Sequence, residues 1–200
     1  MIRERAPELD CNHDEGATRV VPHVLHMAQD YEGIVIRASD TDITVIMLYH
    51  LEKAKAAVWM EVGTSGQNTR RYVNLSQIAA SIGPLMCKAL PGFHIFTGCD
   101  YTSSFDRQGK IRPLQILEEN TEFQYAFAKL GDADPDLETF TVIEKYTCRI
   151  YRQTSCTSIN DARYAVFEKE FFPCVKAKDP LEKLKGIDAS SLPQCHNGLL

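Results

Sequence analysis

The segment that most constrains the fold is Ile34-Val35-Ile36-Arg37-Ala38, followed at once by Ser39-Asp40-Thr41-Asp42. A short run of β-branched residues reads as a buried strand. The Ser, Asp and Thr after it supply N-caps for a helix from Asp42 to about His50. An unbroken apolar run of this kind suits a parallel sheet covered on both faces. Ala56 to Val62 is a second strand candidate, Gly63 to Asn68 a turn or hairpin loop, and Arg71-Tyr72-Val73 a short strand. Leu75 to Ile82 then reads as a helix capped by Asn74. Strands alternating with helices predict an α/β fold, a mostly parallel sheet with flanking helices. Trp59 and Tyr72 are expected to pack in its core.

Upstream, Ala17, Val20, Val21, Val24, Leu25 and Ala28 fall at helical spacing between His13 and about Gln29, and Pro22 predicts a kink or a late start. Downstream, a helix–loop–helix region from Gly83 to Asn120 is broken by Pro84, Pro91-Gly92 and the stretch Gly98 to Gly109. After Asn120 the pattern is helical over about 121–130, 136–154 and 159–171, with Gly131 to Asp136 as the clearest linker. The expected organisation is an α/β core over 13–120, a helical extension over 121–172 and a weakly ordered tail over 173–200.

Composition removes several classes. Apolar residues make up 44% and charged residues 24%, which excludes a disordered chain, a collagen repeat and a disulfide miniprotein. No apolar run approaches the ~18 residues of a membrane helix. The charged start, Met1-Ile2-Arg3-Glu4-Arg5, is no secretory signal, so a nuclear or cytoplasmic protein with reduced thiols is expected. Seven Cys occur without any C-x-x-C spacing, which gives no zinc signature. There is no Walker loop and no Gly-x-Ser-x-Gly elbow. The net charge of −5 means that nucleic acid, as a partner, must be met by a local patch or through a metal ion.

Three acidic clusters lie at boundaries between loops and elements. Asp40 and Asp42 follow a strand, which places them at the carboxyl edge of a parallel sheet, where α/β proteins bind ligands. Asp100 lies in Gly98-Cys99-Asp100-Tyr101, and Glu15 in His13-Asp14-Glu15-Gly16 at the start of the first helix. Each acid serves equally well as a helix cap or a first-turn charge. Together they could form the carboxylate nest that Mg²⁺ or Mn²⁺ needs for phosphodiester cleavage.

Ser39-Asp40-Thr41-Asp42 after a strand resembles the Asp-x-Asp motif of the flap-endonuclease branch of the PIN-like nuclease superfamily, and Gly98-Cys99-Asp100-Tyr101-Thr102 resembles its Gly-Ser-Asp-Tyr motif. Ser103 to Leu117 can be laid without gaps on the family's helix–two-turn–helix element, at about 98–117, with Gly109 on a turn glycine. The resemblance runs from about Asp14 to Asn120, and extends to transposon-associated animal proteins that carry His-Glu-Glu-Ala-Asp-Thr-Arg before the Asp-x-Asp strand. It implies a divalent-metal-dependent nuclease acting on branched or flapped DNA, with Glu15, Asp40, Asp42 and Asp100 as catalytic metal ligands. It also implies that Arg107, Gly109, Lys110 and Arg112 contact DNA phosphates at the hairpin, with a potassium ion there. The chain departs from the family at Ala17, where the second acid of a helical pair would stand, and the family's first strand is expected to be missing. Those departures carry the alternative expectation: a catalytically inactive PIN-like domain that binds nucleic acid or protein.

Overall fold

The computed structural model describes residues 7–10, 16–64, 66, 69–131, 135–175, 188–195 and 198. The chain divides into two compact units, Met1–Pro91 and Gly92–Leu200.

The first unit holds a three-stranded sheet of order β1-β2-β3, with β1 at Gly33–Arg37, β2 at Ala57–Val62 and β3 at Arg71–Asn74. Helix α1 (Gly16–Met27) precedes it; α2 (Thr41–His50) connects β1 to β2; α3 (Leu75–Ile82) follows β3. The crossover through α2 returns β2 parallel to β1, with Ile34 opposite Val58 and Ile36 opposite Met60. The connection from β2 to β3 is too short for a crossover, so β3 runs antiparallel, with Tyr72 opposite Glu61. The sheet is therefore mixed, where a mostly parallel one was expected.

One face of the sheet is covered by helices, and the other carries no helix among the described residues. Ile34, Ile36, Val58 and Met60 are buried, and the Thr44 hydroxyl of α2 lies 3.0 Å from the Met60 sulfur. Beyond the end of β3 the Ser76 hydroxyl accepts from the Val58 N–H at 2.9 Å, so α3 completes the ladder of β2. The alternate residues face away from this layer. Val35 is 56% and Tyr72 53% exposed, which corrects the expectation of two covered faces and a core Tyr72. The hairpin register is the reason: it sets Tyr72 beside Glu61 on the side that no described helix covers.

Helix α4 (Pro84–Phe96) passes without a break through Pro91-Gly92, where an interruption was expected. In the second unit Gly92 serves close approach: a Cβ there would lie 2.4 Å from the Phe127 carbonyl oxygen. After α4, no regular helix forms until α5 (Ile111–Glu118), which is followed by α6 (Thr121–Lys129), α7 (Leu137–Ile150) and α8 (Ile159–Val175). Their core is an aromatic cluster. Tyr146 packs edge-on to Phe123 and Phe127 with centroids 5.2 and 4.8 Å apart, and Phe96 stacks against Phe105 at 5.3 Å. The buried Tyr146 hydroxyl donates to the Pro113 carbonyl at 2.9 Å. Burial pushes its pKa far up, so it remains a neutral donor.

Several helix starts are closed by side chains, that of α3 by Asn74 as expected. Asn74 accepts from Gln77 N–H, Asn120 from Glu122 N–H, and Asp136 from Thr139 N–H at 2.7 Å. Glu144 on α7 accepts from the Ile159 N–H at the start of α8, also at 2.7 Å. No single helix among the described residues is long and apolar enough to cross a membrane.

Two predictions follow from these contacts. Alanine normally stabilises a helix interior by about 1 kcal/mol over glycine. Gly92→Ala should instead lower the unfolding free energy by roughly 1–3 kcal/mol in urea titrations, because the Phe127 backbone must move. Asp136 is held down to about 2, first by its hydrogen bond to the Thr139 hydroxyl, then by the Thr139 N–H and Lys129. Its folded value lies below its unfolded one, so its contribution is complete above about pH 4 and fades as the pH falls towards 2. Asp136→Asn should flatten that part of an acid-denaturation curve.

Candidate functional site

The carboxyl end of β1 forms the first candidate site. Pairing continues one residue past the strand, where Ala38 N–H donates to the Glu61 carbonyl at 3.3 Å. The chain then turns, and Asp40, in extended conformation, caps α2: its Oδ1 accepts from the Asp42 N–H at 3.0 Å. Asp42 lies in the first turn, partly buried, while Asp40 is exposed. Parallel pairing with β2 thus brings both carboxylates to the carboxyl edge of the sheet, as expected. The N-terminus of α2 adds partial positive charge there, which favours these carboxylates and, equally, an approaching phosphate.

Asp100 belongs to the second unit. It sits with Tyr101 at the tip of a tight turn closed by reciprocal backbone bonds between Cys99 and Thr102, at 3.2 and 3.3 Å. The Thr102 hydroxyl ties this turn to the Ile95 carbonyl at the end of α4. Gly98 is required twice over: its φ is +107°, and a Cβ would meet the Ser104 Cα at 2.6 Å. Asp100 and Tyr101 are both exposed, Tyr101 by 77%. Glu15 lies outside the described residues. The structure therefore places Asp40 and Asp42 at the start of one helix and gives Asp100 a turn of its own. Among the described residues no group of three or more His, Cys, Asp or Glu side chains is arranged to hold a metal ion.

Within 98–117 the regular helix is α5, and the residues before it form successive turns anchored by buried Phe105. The basic residues there have different partners. Lys110, the N-cap of α5, places its ammonium 3.2 Å from His94 Nδ1. Arg112 donates to the Arg149 carbonyl at 3.3 Å, which ties α5 to the end of α7. Arg107 pairs with Asp106 at 3.3 Å and Asp188 at 3.4 Å, its own backbone at φ +55°. Gly109 turns the chain at φ +58°.

Two features were missed in the sequence. On the open sheet face, Glu61 accepts from Arg70 at 3.1 Å and from the Tyr72 hydroxyl at 3.3 Å, with Arg37 at 3.6 Å. The signal was the register of the hairpin, which sequence spacing alone leaves open. The second is a set of basic residues around Arg152, for which no motif exists. Burial pushes the Cys148 thiol up to about 11 and raises that of Cys87, so neither supplies a thiolate nucleophile near neutrality.

The capping role of Asp40 can be tested by itself. Asp40→Ala removes the cap of α2 and should cost about 1 kcal/mol of stability, whereas Asp40→Asn keeps an equivalent acceptor and should change it by no more than a few tenths. Thermal melts of the two variants check this. Compared with known proteins, the chain matches no family model, no curated protein and no solved structure.

Proposed function

We propose that this chain is a PIN-like, flap-endonuclease-type domain that hydrolyses phosphodiesters of branched or flapped DNA with a divalent cation. The observation that carries the reading is the pair Asp40 and Asp42 at the carboxyl end of β1, on the first turn of a crossover helix. The donor set fits: Mg²⁺ is commonly held by one or two carboxylates, its other positions taken by water and substrate phosphate. When bound, such a cation supplies Lewis-acid polarisation of the phosphodiester and activation of water.

The chain's own residues have distinct tasks in this reading. The Asp42 N–H holds one oxygen of Asp40 in place, which orients the other. Asp42, in the first turn of α2, supplies the second carboxylate. Arg107 and Lys110, both exposed, would contact DNA phosphates and so fix position without reading bases. Arg112 would act through position, since its guanidinium tethers α5 to the Arg149 carbonyl.

A second reading, a nucleic-acid-binding relative without catalysis, is favoured by Ala17. That position lies in the core at 8% exposure, where a second helical carboxylate would be buried.

Calorimetry with Mn²⁺ and cleavage of a labelled flap substrate in Mg²⁺ test the two readings. The nuclease reading expects Mn²⁺ binding that weakens at least tenfold in Asp40→Asn, and cleavage that Asp40→Asn and Asp42→Asn abolish. Flap binding with neither Mn²⁺ binding nor cleavage would establish the second reading instead.

A further inference from the structure

Two residues other than glycine hold positive φ among the described residues, Arg107 at +55° and Arg152 at +63°. Both line one cavity of about 350 Å³ in the second unit, together with Lys169, Glu170, Tyr151 and Gln153. Left-handed backbone is disfavoured for residues with a Cβ, and such strain gathers where function demands a particular side chain.

Arg152 makes the point sharply. It follows Tyr151, the C-cap of α7, and the Gln153 N–H reaches back to the Cys148 carbonyl at 2.9 Å. This is the helix-ending motif whose left-handed position is ordinarily glycine. An arginine there is a poor choice for the backbone. It gains no compensating contact in the fold, since among the described residues its guanidinium has no ion pair and no side-chain hydrogen bond. The same holds for the ammonium of Lys169, exposed on α8. Arg107 is held by Asp106 and Asp188, but with 69% of its side chain exposed and 52% of that of Asp188 the second pair is weak and replaceable. Three cations and one carboxylate, Glu170, therefore line a polar cavity in a chain whose net charge is −5.

We propose that this cavity binds a phosphate group, carried either by a small phosphate ester or by the end of a nucleic-acid strand. Two guanidiniums and an ammonium match the oxygens of a phosphate, and Gln153 adds a neutral donor. The volume suits a group of mononucleotide size. Arg107 is shared with the DNA contacts proposed above, but Arg152 and Lys169 are not and no carboxylate proposed to hold metal takes part, so the two readings fail separately.

The test is calorimetry on the full chain in EDTA, with inorganic phosphate, thymidine 5′-monophosphate, thymidine, and a short oligothymidylate with and without a 5′-phosphate. Binding of the phosphorylated probes and none of thymidine is expected. Arg152→Gly relieves the backbone, so it should melt no lower than the parent yet bind at least tenfold more weakly. Lys169→Gln, a change on an exposed helix face, should also weaken binding. Mononucleotide bound as tightly as the phosphorylated oligonucleotide identifies a small ester as ligand, and binding of the oligonucleotide alone identifies a strand end. The proposal is overturned if no phosphorylated probe binds, or if either variant binds as tightly as the parent.

Discussion

The burial of Phe105 is the constraint on which the second unit's chemistry depends. Fourteen residues, 97–110, separate α4 from α5 without a regular helix between them. Such a stretch lacks the repeating hydrogen bonds that hold a helix, so its order comes from a few anchors. Phe105 is the strongest, inserted between Phe96 and Tyr151 at centroid distances of 5.3 and 6.2 Å. The Thr102 hydroxyl on the Ile95 carbonyl and the fit of Gly98 under Ser104 secure the near end. Asp100, Arg107 and Lys110 are exposed because the residues between them are pinned. Packing in the aromatic cluster and presentation of polar groups at the surface are thus two results of one arrangement.

The first unit reaches a similar end by another route. There the polar pair Asp40 and Asp42 depends on regular structure, the parallel pairing of β1 with β2 and the crossover through α2. One carboxylate caps a helix and stands at the carboxyl edge of the sheet, so the proposed binding role falls on a side chain that also stabilises the fold. The N-cap bond uses a single oxygen of Asp40, which is why the two roles are compatible.

Local signals in the sequence were the most legible. The strand over 34–37, the helices after it and the caps Asp40 and Asn74 all follow from residues adjacent in the chain. Features decided by distant residues were not legible. Gly92 reads as a helix breaker until the Phe127 carbonyl is seen beside it. Val35 reads as doubly buried because an apolar run carries no statement about how many layers cover a sheet. The candidate site divides the same way. The position of Asp40 and Asp42 was readable from strand and cap signals, whereas the roles of Arg107 and Arg112 were set by Asp188 and the Arg149 carbonyl. Arg152 and Lys169, on α7's end and α8, share a cavity that no spacing along the chain announces.

The carboxylate of Glu61, set among Arg37, Arg70 and Tyr72, has a consequence for how this chain avoids misassembly. The row spans all three strands, so it can form in one alignment only. A slip by a single residue would turn Glu61 inward against α2 and α3, stranding a charge in the apolar layer, and would turn Met60 out to water. A surface ion cluster that adds little to the stability of the finished sheet can in this way act as its proofreader.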